Sequence, residues 1–382
     1  MTAPRPSLRV LMTTDAAGGV WSYSLTLARS LKDRGVEFIL AATGPAPSPD
    51  QQRDALAVGN IRLCCRDGRP EWTDDTGADV ESAGRWLVDL EGREHPDLVH
   101  LNGFTHGALP FQSCAIIVGH SCRLSRWRGV YGREAPPAFA AYGRRVRLGL
   151  ERARRFVAPS GAMLAEFRDI YGALPPARVI YNAAPHPKET KPKAPFAMCA
   201  GRAWDDAKNF AAVAEAALDV PWPIYLAGAT AGPFAGRPQL PGLLKLGRLP
   251  ARQMDELLAR AAICIHPARY EPFGLIPLEA ALRGCALVLG DIPTLRELWG
   301  DAAVFVRADE VSGLSSAVRA LIADDAARQT LATRAKQRAR RYSIEAFADE
   351  YLSLYRELAP ATPAPAKRDP RTAASSFFAA RP

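Results

Sequence analysis

A chain of 382 residues exceeds the size at which one hydrophobic core usually stops growing, so two domains are expected. Its 48% hydrophobic and 23% charged residues and its net charge of +9 are ordinary for a soluble globular protein, and no apolar run approaches the roughly 20 residues that span a bilayer. Seven scattered cysteines with no Cys-x-x-Cys argue against a zinc site or disulfide framework and for a reducing cytoplasm, and Leu8–Met12 is too short an apolar stretch for a secretory signal.

In chain order, short apolar runs alternate with helix-length amphipathic segments, the pattern of α/β layers around parallel sheets. Leu8–Thr13 is the first predicted strand. Gly18-Gly19 follows it and opens a helix, on which Val20, Tyr23, Leu27 and Leu31 repeat at helical spacing. Further strands are predicted at Glu37–Ala41, Ile61–Cys64, Leu98–Leu101, Ala115–Val118, Phe156–Ala158 and Val179–Tyr181. Asn102 and His120 each follow one of these strands, where cleft residues belong in such folds. Between Arg123 and Arg155 lie ten arginines against two acids, Glu134 and Glu151. That cluster reads either as a solvated helix face or as a docking surface for anionic lipid or an anionic acceptor; no nucleic-acid motif accompanies it.

A proline- and charge-rich stretch, residues 185–195, reads as an interdomain linker. A second alternation follows, with strands predicted at Phe196–Ala200, Ile224–Ala227, Leu243–Leu246, Ala262–Ile265, Ala286–Leu289 and Ala303–Val306. Three helical patterns, near Glu310–Ile322, Ala326–Arg340 and Ser343–Leu358, close the fold, and the Pro-, Ala- and Arg-rich residues 361–382 read as a disordered tail. The expected architecture is two Rossmann-like doubly wound domains, residues 1–184 and 196–342, facing each other across a cleft.

Glu271-Pro-Phe-Gly-Leu-Ile-Pro-Leu-Glu279 carries the densest chemistry. Gly274 permits close backbone approach to a ligand, and the helix that begins there offers unpaired N–H groups and the positive end of its dipole to a phosphate. Pro277 in the first turn gives up a donor the helix does not need. Carboxylates on either side of an anion site make sense when they accept from the hydroxyls of a sugar. The segment therefore predicts a sugar attached to a phosphate. No Gly-x-Gly-x-x-Gly is present, which counts against a nicotinamide or flavin enzyme.

On these residues, the chain resembles the retaining GT-B glycosyltransferases of family 4 from about Leu8 to Leu358. The resemblance implies that Glu271 contacts hydroxyls of a donor sugar and that Glu279 binds the nucleotide ribose. It also implies that the backbone at Phe273, Gly274 and Leu275 lies by the diphosphate. Gly201-Arg202 and Lys208 are similar to the family's Gly-Arg…Lys set, with Arg202 and Lys208 stabilising the departing diphosphate. Gly18 and Gly19 resemble the loop beneath the diphosphate. Gly247-Arg248-Leu249 looks like the loop at the base, and His120 like the histidine placed near donor sugar and acceptor. Asn102 and Arg123 are assigned to the acceptor side.

The expectation is hexose transfer from a nucleotide-sugar to a carbohydrate, lipid-linked or small-molecule hydroxyl, with retention and in bacterial polysaccharide or glycoconjugate synthesis. Neither a resident cofactor nor a metal is expected, since no Asp-x-Asp or His cluster with ligand spacing occurs. The cytoplasm is the expected location, with peripheral contact to anionic lipid on the inner membrane face left open and no nucleic acid as partner. Rival readings are an epimerase or phosphorylase on the same architecture, a non-catalytic scaffold of that fold, and a basic membrane- or RNA-associated module.

Overall fold

The computed structural model describes residues 8–359 apart from 17, 70, 72, 74–76, 188, 190 and 231–237. The expected tail at 361–382 lies outside the described residues, as does part of the 185–195 linker. Two sheets carry the fold. The first contains β1 (Leu8–Thr14), β2 (Val36–Gly44), β3 (Ile61–Asp67), β4 (Leu98–Leu101), β5 (Cys114–Val118), β6 (Arg155–Ala158) and β7 (Ala177–Val179), in the order β3-β2-β1-β4-β5-β6-β7. The second contains β8 (Ala194–Ala200), β9 (Ile224–Ala227), β10 (Leu243–Gly247), β11 (Ala261–His266), β12 (Ala286–Gly290) and β13 (Val304–Val306), in the order β10-β9-β8-β11-β12-β13.

Every pairing in both sheets is parallel. Each order starts near the centre, runs to one edge, then returns past the first strand. The reversal falls between β1 and β4 in one domain and between β8 and β11 in the other, which is where ligands bind in doubly wound sheets. Sheets covered on both faces need strands that are apolar throughout, and β4, β11 and β12 are buried at every position. The edge strand β3 instead alternates partly buried and exposed residues.

The apolar runs therefore announce the strands well, with one correction. The strand expected at Val179–Tyr181 runs from Ala177 to Val179, because Phe156 N–H bonds Pro176 O and Ile180 N–H bonds Ala158 O. Pairing to β6 sets the register, and Tyr181 is left 40% exposed beyond the strand.

The last helix, Ile344–Leu358, begins at Ser343, whose side chain accepts from Ala346 N–H. It leaves the second half of the chain and packs Phe347, Tyr351 and Tyr355 into the core of the first domain. Arg155 and Arg178 pair with Glu357 along its edge. The domains are also fastened directly. The Glu297 carboxylate accepts from Gly161 and Ala162 N–H (2.8 and 2.6 Å) at the start of helix Gly161–Tyr171, and Ser160 Oγ donates to Pro272 O. Ser125 and Tyr270 share a buried hydroxyl–hydroxyl hydrogen bond of 2.7 Å.

Candidate functional site

On the second domain's side, β11 delivers the chain into the loop that holds Glu271. Gly274 ends that loop with φ +92°, a left-handed conformation that suits glycine, and caps helix Leu275–Leu282. The first-turn N–H groups of this helix have no intrahelical acceptors. Glu271 Oε2 accepts from Lys208 Nζ at 2.6 Å and from His266 Nε2 at 2.9 Å. Thr294 Oγ1 donates to the Glu271 carbonyl at 2.5 Å and pins its backbone. Burial alone would raise the Glu271 carboxyl, but the Lys208 ammonium and the His266 hydrogen bond outweigh it and hold the group well below the usual carboxylate range.

Lys208 reaches Glu271 because of the turn that carries it. After β8 the chain makes the short 3-10 turn Asp206–Lys208, and Asn209 adopts φ +57°. The Asn209 side-chain amide donates to Pro267 O and Ala308 O (3.1 and 2.8 Å), anchoring the turn against the Glu271 loop. Arg269 N–H donates to Ala207 O in the same place. Glu279, one turn into the helix, stands in contrast. Its side chain has no hydrogen-bond or ion-pair partner among the described residues, and burial pushes its carboxyl up to about 6 against the opposing pull of Arg283.

Arg202 leaves Gly201 at the end of β8 and makes two hydrogen bonds to Asp205 Oδ2 (3.2 and 2.6 Å). The other Asp205 oxygen accepts from Arg126 of the first domain at 2.6 Å and from Ala207 N–H. Asp205 is 3% exposed; burial opposes its ionisation, yet Arg202 and Arg126 hold its carboxyl below the usual value. A Cβ placed on Gly18 would stand 3.4 Å from an Arg202 guanidinium nitrogen, so the Gly18-Gly19 loop and the second domain's cations already approach each other. Gly18 has φ −148°, open to any residue, and a Cβ there would make only ordinary contact with the end of Arg202, so neither backbone nor space demands glycine at this position. Behind them, a Cβ on Gly228 would meet Gly201 O at 1.8 Å, so only glycine fits where β8 and β9 end.

On the first domain's side, the groups around Asn102 and His120 are neutral. Asn102 follows β4; its Oδ1 lies 2.8 Å from His120 Nε2 and 3.1 Å from His100 Nε2, and its amide nitrogen donates to Thr13 O at 2.7 Å. An amide oxygen only accepts, so both rings carry their proton on Nε2 and Nδ1 is a lone pair. For His100 that lone pair accepts from Tyr355 Oη at 2.6 Å. For His120 it has no partner among the described residues. Tyr23 stands edge-on to the His120 ring, with centroids 4.4 Å apart. Burial lowers His120 to about 4 and His100 to about 3, so both rings are neutral at physiological pH.

Other predicted residues lie around this centre. Arg123 opens helix Arg123–Tyr131, with its guanidinium 4.0 Å from the Phe139 ring centroid. Arg248 is exposed and Leu249 partly buried at the C-terminal end of β10. The arginine cluster is largely absorbed by the fold: Arg126 meets Asp205, Arg128 meets Asp169 and Glu134, Arg147 donates to Tyr171 O and Arg155 meets Glu357. Among the described residues no helix is long and apolar enough to cross a membrane, and no group of three or more potential metal ligands occurs. Sequence reading missed His266, Asp205 and His100. For His266 the available signal was an ionisable residue closing the otherwise apolar run Ala261–Ile265; for Asp205 it was the acid pair Asp205-Asp206 between Arg202 and Lys208.

Solved structures share the whole architecture. Sucrose-phosphate synthase from Thermosynechococcus elongatus superposes with a TM-score of 0.72 at 17% identity, covering 92% of this chain and 99% of its own. HepE of Anabaena, in complex with UDP and glucose, gives a TM-score of 0.72 at 16% identity over 92% of this chain and all of its own. The fold is thus the GT-B arrangement of paired Rossmann-like domains. Sequence models extend this: Glycosyltransferase Family 4 matches residues 17–186 and Glycosyl transferases group 1 matches residues 243–338. The chain thus carries a Glycosyltransferase Family 4 domain followed by a Glycosyl transferases group 1 domain.

A glycogen synthase of Mycobacterium tuberculosis is 41% identical over 95 residues, and an O-antigen chain mannosyltransferase B of Escherichia coli is 26% identical over 172 residues. The matched segments make up 23% and 40% of those relatives' own lengths. A D-inositol 3-phosphate glycosyltransferase of Kineococcus radiotolerans is 25% identical across 94% of both chains.

Proposed function

We propose that the chain transfers a hexose from a nucleotide-sugar to a hydroxyl acceptor, with retention of configuration. The observation that carries this reading is the arrangement around the Gly274 helix start. One glutamate there is already paired and held ionised, while the other is partly buried without a partner, in position to accept from hydroxyls. Helix amides at 273–275 bind the diphosphate, Glu279 accepts from the ribose, and Glu271 accepts from hydroxyls of the donor sugar. Arg202 and Lys208 stabilise the charge that grows on the leaving diphosphate, so the reading invokes neither a metal nor a resident cofactor. His120 turns its Nδ1 lone pair towards donor sugar and acceptor, with Asn102 fixing the tautomer. The acceptor hydroxyl attacks from the face that the diphosphate leaves, through an oxocarbenium-like ion pair, and passes its proton to the departing phosphate oxygen, which gives retention.

The relatives' names, a glycogen synthase and an O-antigen mannosyltransferase among them, support a place in bacterial polysaccharide or glycoconjugate synthesis. The reading is of a cytoplasmic enzyme. A thermal-shift panel of UDP-glucose, ADP-glucose, GDP-mannose and UDP-N-acetylglucosamine tests it. One or two donors should stabilise the protein, by about 2.7 kcal/mol at 100 times Kd, and the shift should vanish in Glu279→Ala. A shift that survives that substitution sinks the ribose assignment. No shift with any donor favours a non-catalytic scaffold, and donor breakdown that ignores added acceptors favours an epimerase or phosphorylase.

A further inference from the structure

We propose that His266 is a positioning residue for Glu271: it fixes the carboxylate so that Oε2 is anchored and Oε1 is presented to the donor sugar. The inference rests on the transferase reading above, and it starts from an asymmetry. Both donors that reach Glu271 converge on Oε2, Lys208 Nζ at 2.6 Å and His266 Nε2 at 2.9 Å. Oε1 receives no hydrogen bond among the described residues. An ionised carboxylate has about four acceptor positions, so the two on Oε1 stay available for hydroxyls.

The two anchors are not equivalent once a donor is bound. Lys208 carries a mobile charge, and an arriving diphosphate competes with Glu271 for it. His266 is 1% exposed and sits at the end of a central strand. A carboxylate only accepts, so Nε2 bears the proton. Burial lowers the ring's pKa in spite of Glu271, leaving it neutral and indifferent to the phosphate. When Lys208 turns towards the leaving group, His266 is the contact that keeps Glu271 in place.

A histidine kept only for packing is expected to satisfy both nitrogens. Here His266 Nδ1 is buried with no partner, while Nε2 is committed to Glu271. The rest of its strand, Ala261–Ile265, is apolar or cysteine, and an apolar residue at 266 would have avoided the orphaned lone pair. What histidine adds at this position is the N–H to Glu271.

The test compares His266→Leu with His266→Gln, whose amide can still donate to the carboxylate. The probes are UDP-glucose with UDP, ADP-glucose with ADP and GDP-mannose with GDP, using whichever pair binds the unsubstituted protein. In His266→Leu, affinity for the nucleotide-sugar should fall about tenfold or more while affinity for the bare diphosphate holds. His266→Gln should recover most of the loss. Equal losses for both ligands mean general damage to the site and overturn the proposal, as does unchanged sugar affinity. A second readout needs no donor. The Glu271 carboxyl, followed by carbon NMR against Glu271→Gln, should titrate at higher pH in His266→Leu. If the unsubstituted protein binds no nucleotide at all, the transferase reading fails, and a titration unmoved by His266→Leu overturns the contact on its own.

Discussion

On the second domain's wall, an ammonium and an imidazole N–H meet one carboxylate oxygen, and the Asp205 carboxylate meets the guanidinium of Arg202 and that of Arg126, which reaches across from the first domain. On the first domain's wall, two neutral imidazoles meet one amide oxygen and a tyrosine hydroxyl. Both walls are at least partly buried, so most of their polar groups find partners within the fold. The difference lies in what each has to greet. Charges matched in advance suit a ligand whose own charge changes during the reaction, since little reorganisation is left to do. Neutral rings with fixed tautomers suit a hydroxyl, which wants one defined lone pair and no net field.

The contrast breaks most violently at Lys208. Lys208→Ala leaves Glu271 buried with one neutral partner, and removing one member of a buried ion pair typically costs about 3–5 kcal/mol. Denaturant unfolding should show a loss of that order, and turnover should fall by at least about a hundredfold. Adding Glu271→Gln should restore much of the stability and none of the activity. If Lys208→Ala is as stable as the unsubstituted protein, the charged wall is not a unit.

Acid should strike the buried imidazoles first, His100 and His120 on the neutral wall together with His266 on the charged one. His100 and His120 bind protons far more weakly folded, at about 3 and about 4, than unfolded, near 6.5. Their contribution to stability is complete above 6.5 and lost as pH falls, at up to about 1.4 kcal/mol per pH unit for each ring. Glu271 and Asp205, held below their usual values, surrender theirs only at lower pH. Unfolding measured from pH 7 to 4 should therefore weaken from about 6.5 downward, and the slope should lessen in His100→Gln.

Glu279 behaves in the opposite sense. With its carboxyl at about 6, the ionised form that accepts from ribose is the minority at pH 5. Nucleotide-sugar affinity should fall about tenfold between pH 7 and pH 5, and Glu279→Gln should flatten that dependence. Titration calorimetry with an intact nucleotide-sugar separates this from protonation of a free terminal phosphate. The smallest effect is expected at Tyr355→Phe. Losing the hydroxyl to His100 Nδ1 should cost about 1 kcal/mol of stability and lower turnover slightly through His120, with the charged wall's response to acid unchanged.

The sheets were legible because parallel strands buried on both faces are short apolar runs, and β4, β11 and β12 have no other way to read. The register of β7 was not legible, because a three-residue edge strand takes its position from its neighbour. Glu271, Gly274 and Glu279 stood out because a glycine turn, a helix start and two carboxylates share one short segment. Asp205, His100 and His266 did not stand out, since each gains its meaning from a partner. Asp205 meets Arg126 from the other domain, His100 meets Tyr355 from 255 positions away, and His266 bonds the Glu271 oxygen that Lys208 also holds. Spacing along a sequence reports what an element offers to solvent or core, and says little about which of two oxygens is already occupied.

The closing helix, Ile344–Leu358, carries one more implication. Its Phe347, Tyr351 and Tyr355 belong to the first domain's core, yet they are made only after the second domain has been synthesised. On the ribosome the first domain must wait with an apolar groove uncovered and His100 without its hydroxyl partner. The first domain is not a portable module: a fragment ending at residue 184 should be aggregation-prone, and supplying residues 343–359 as a separate peptide should rescue it.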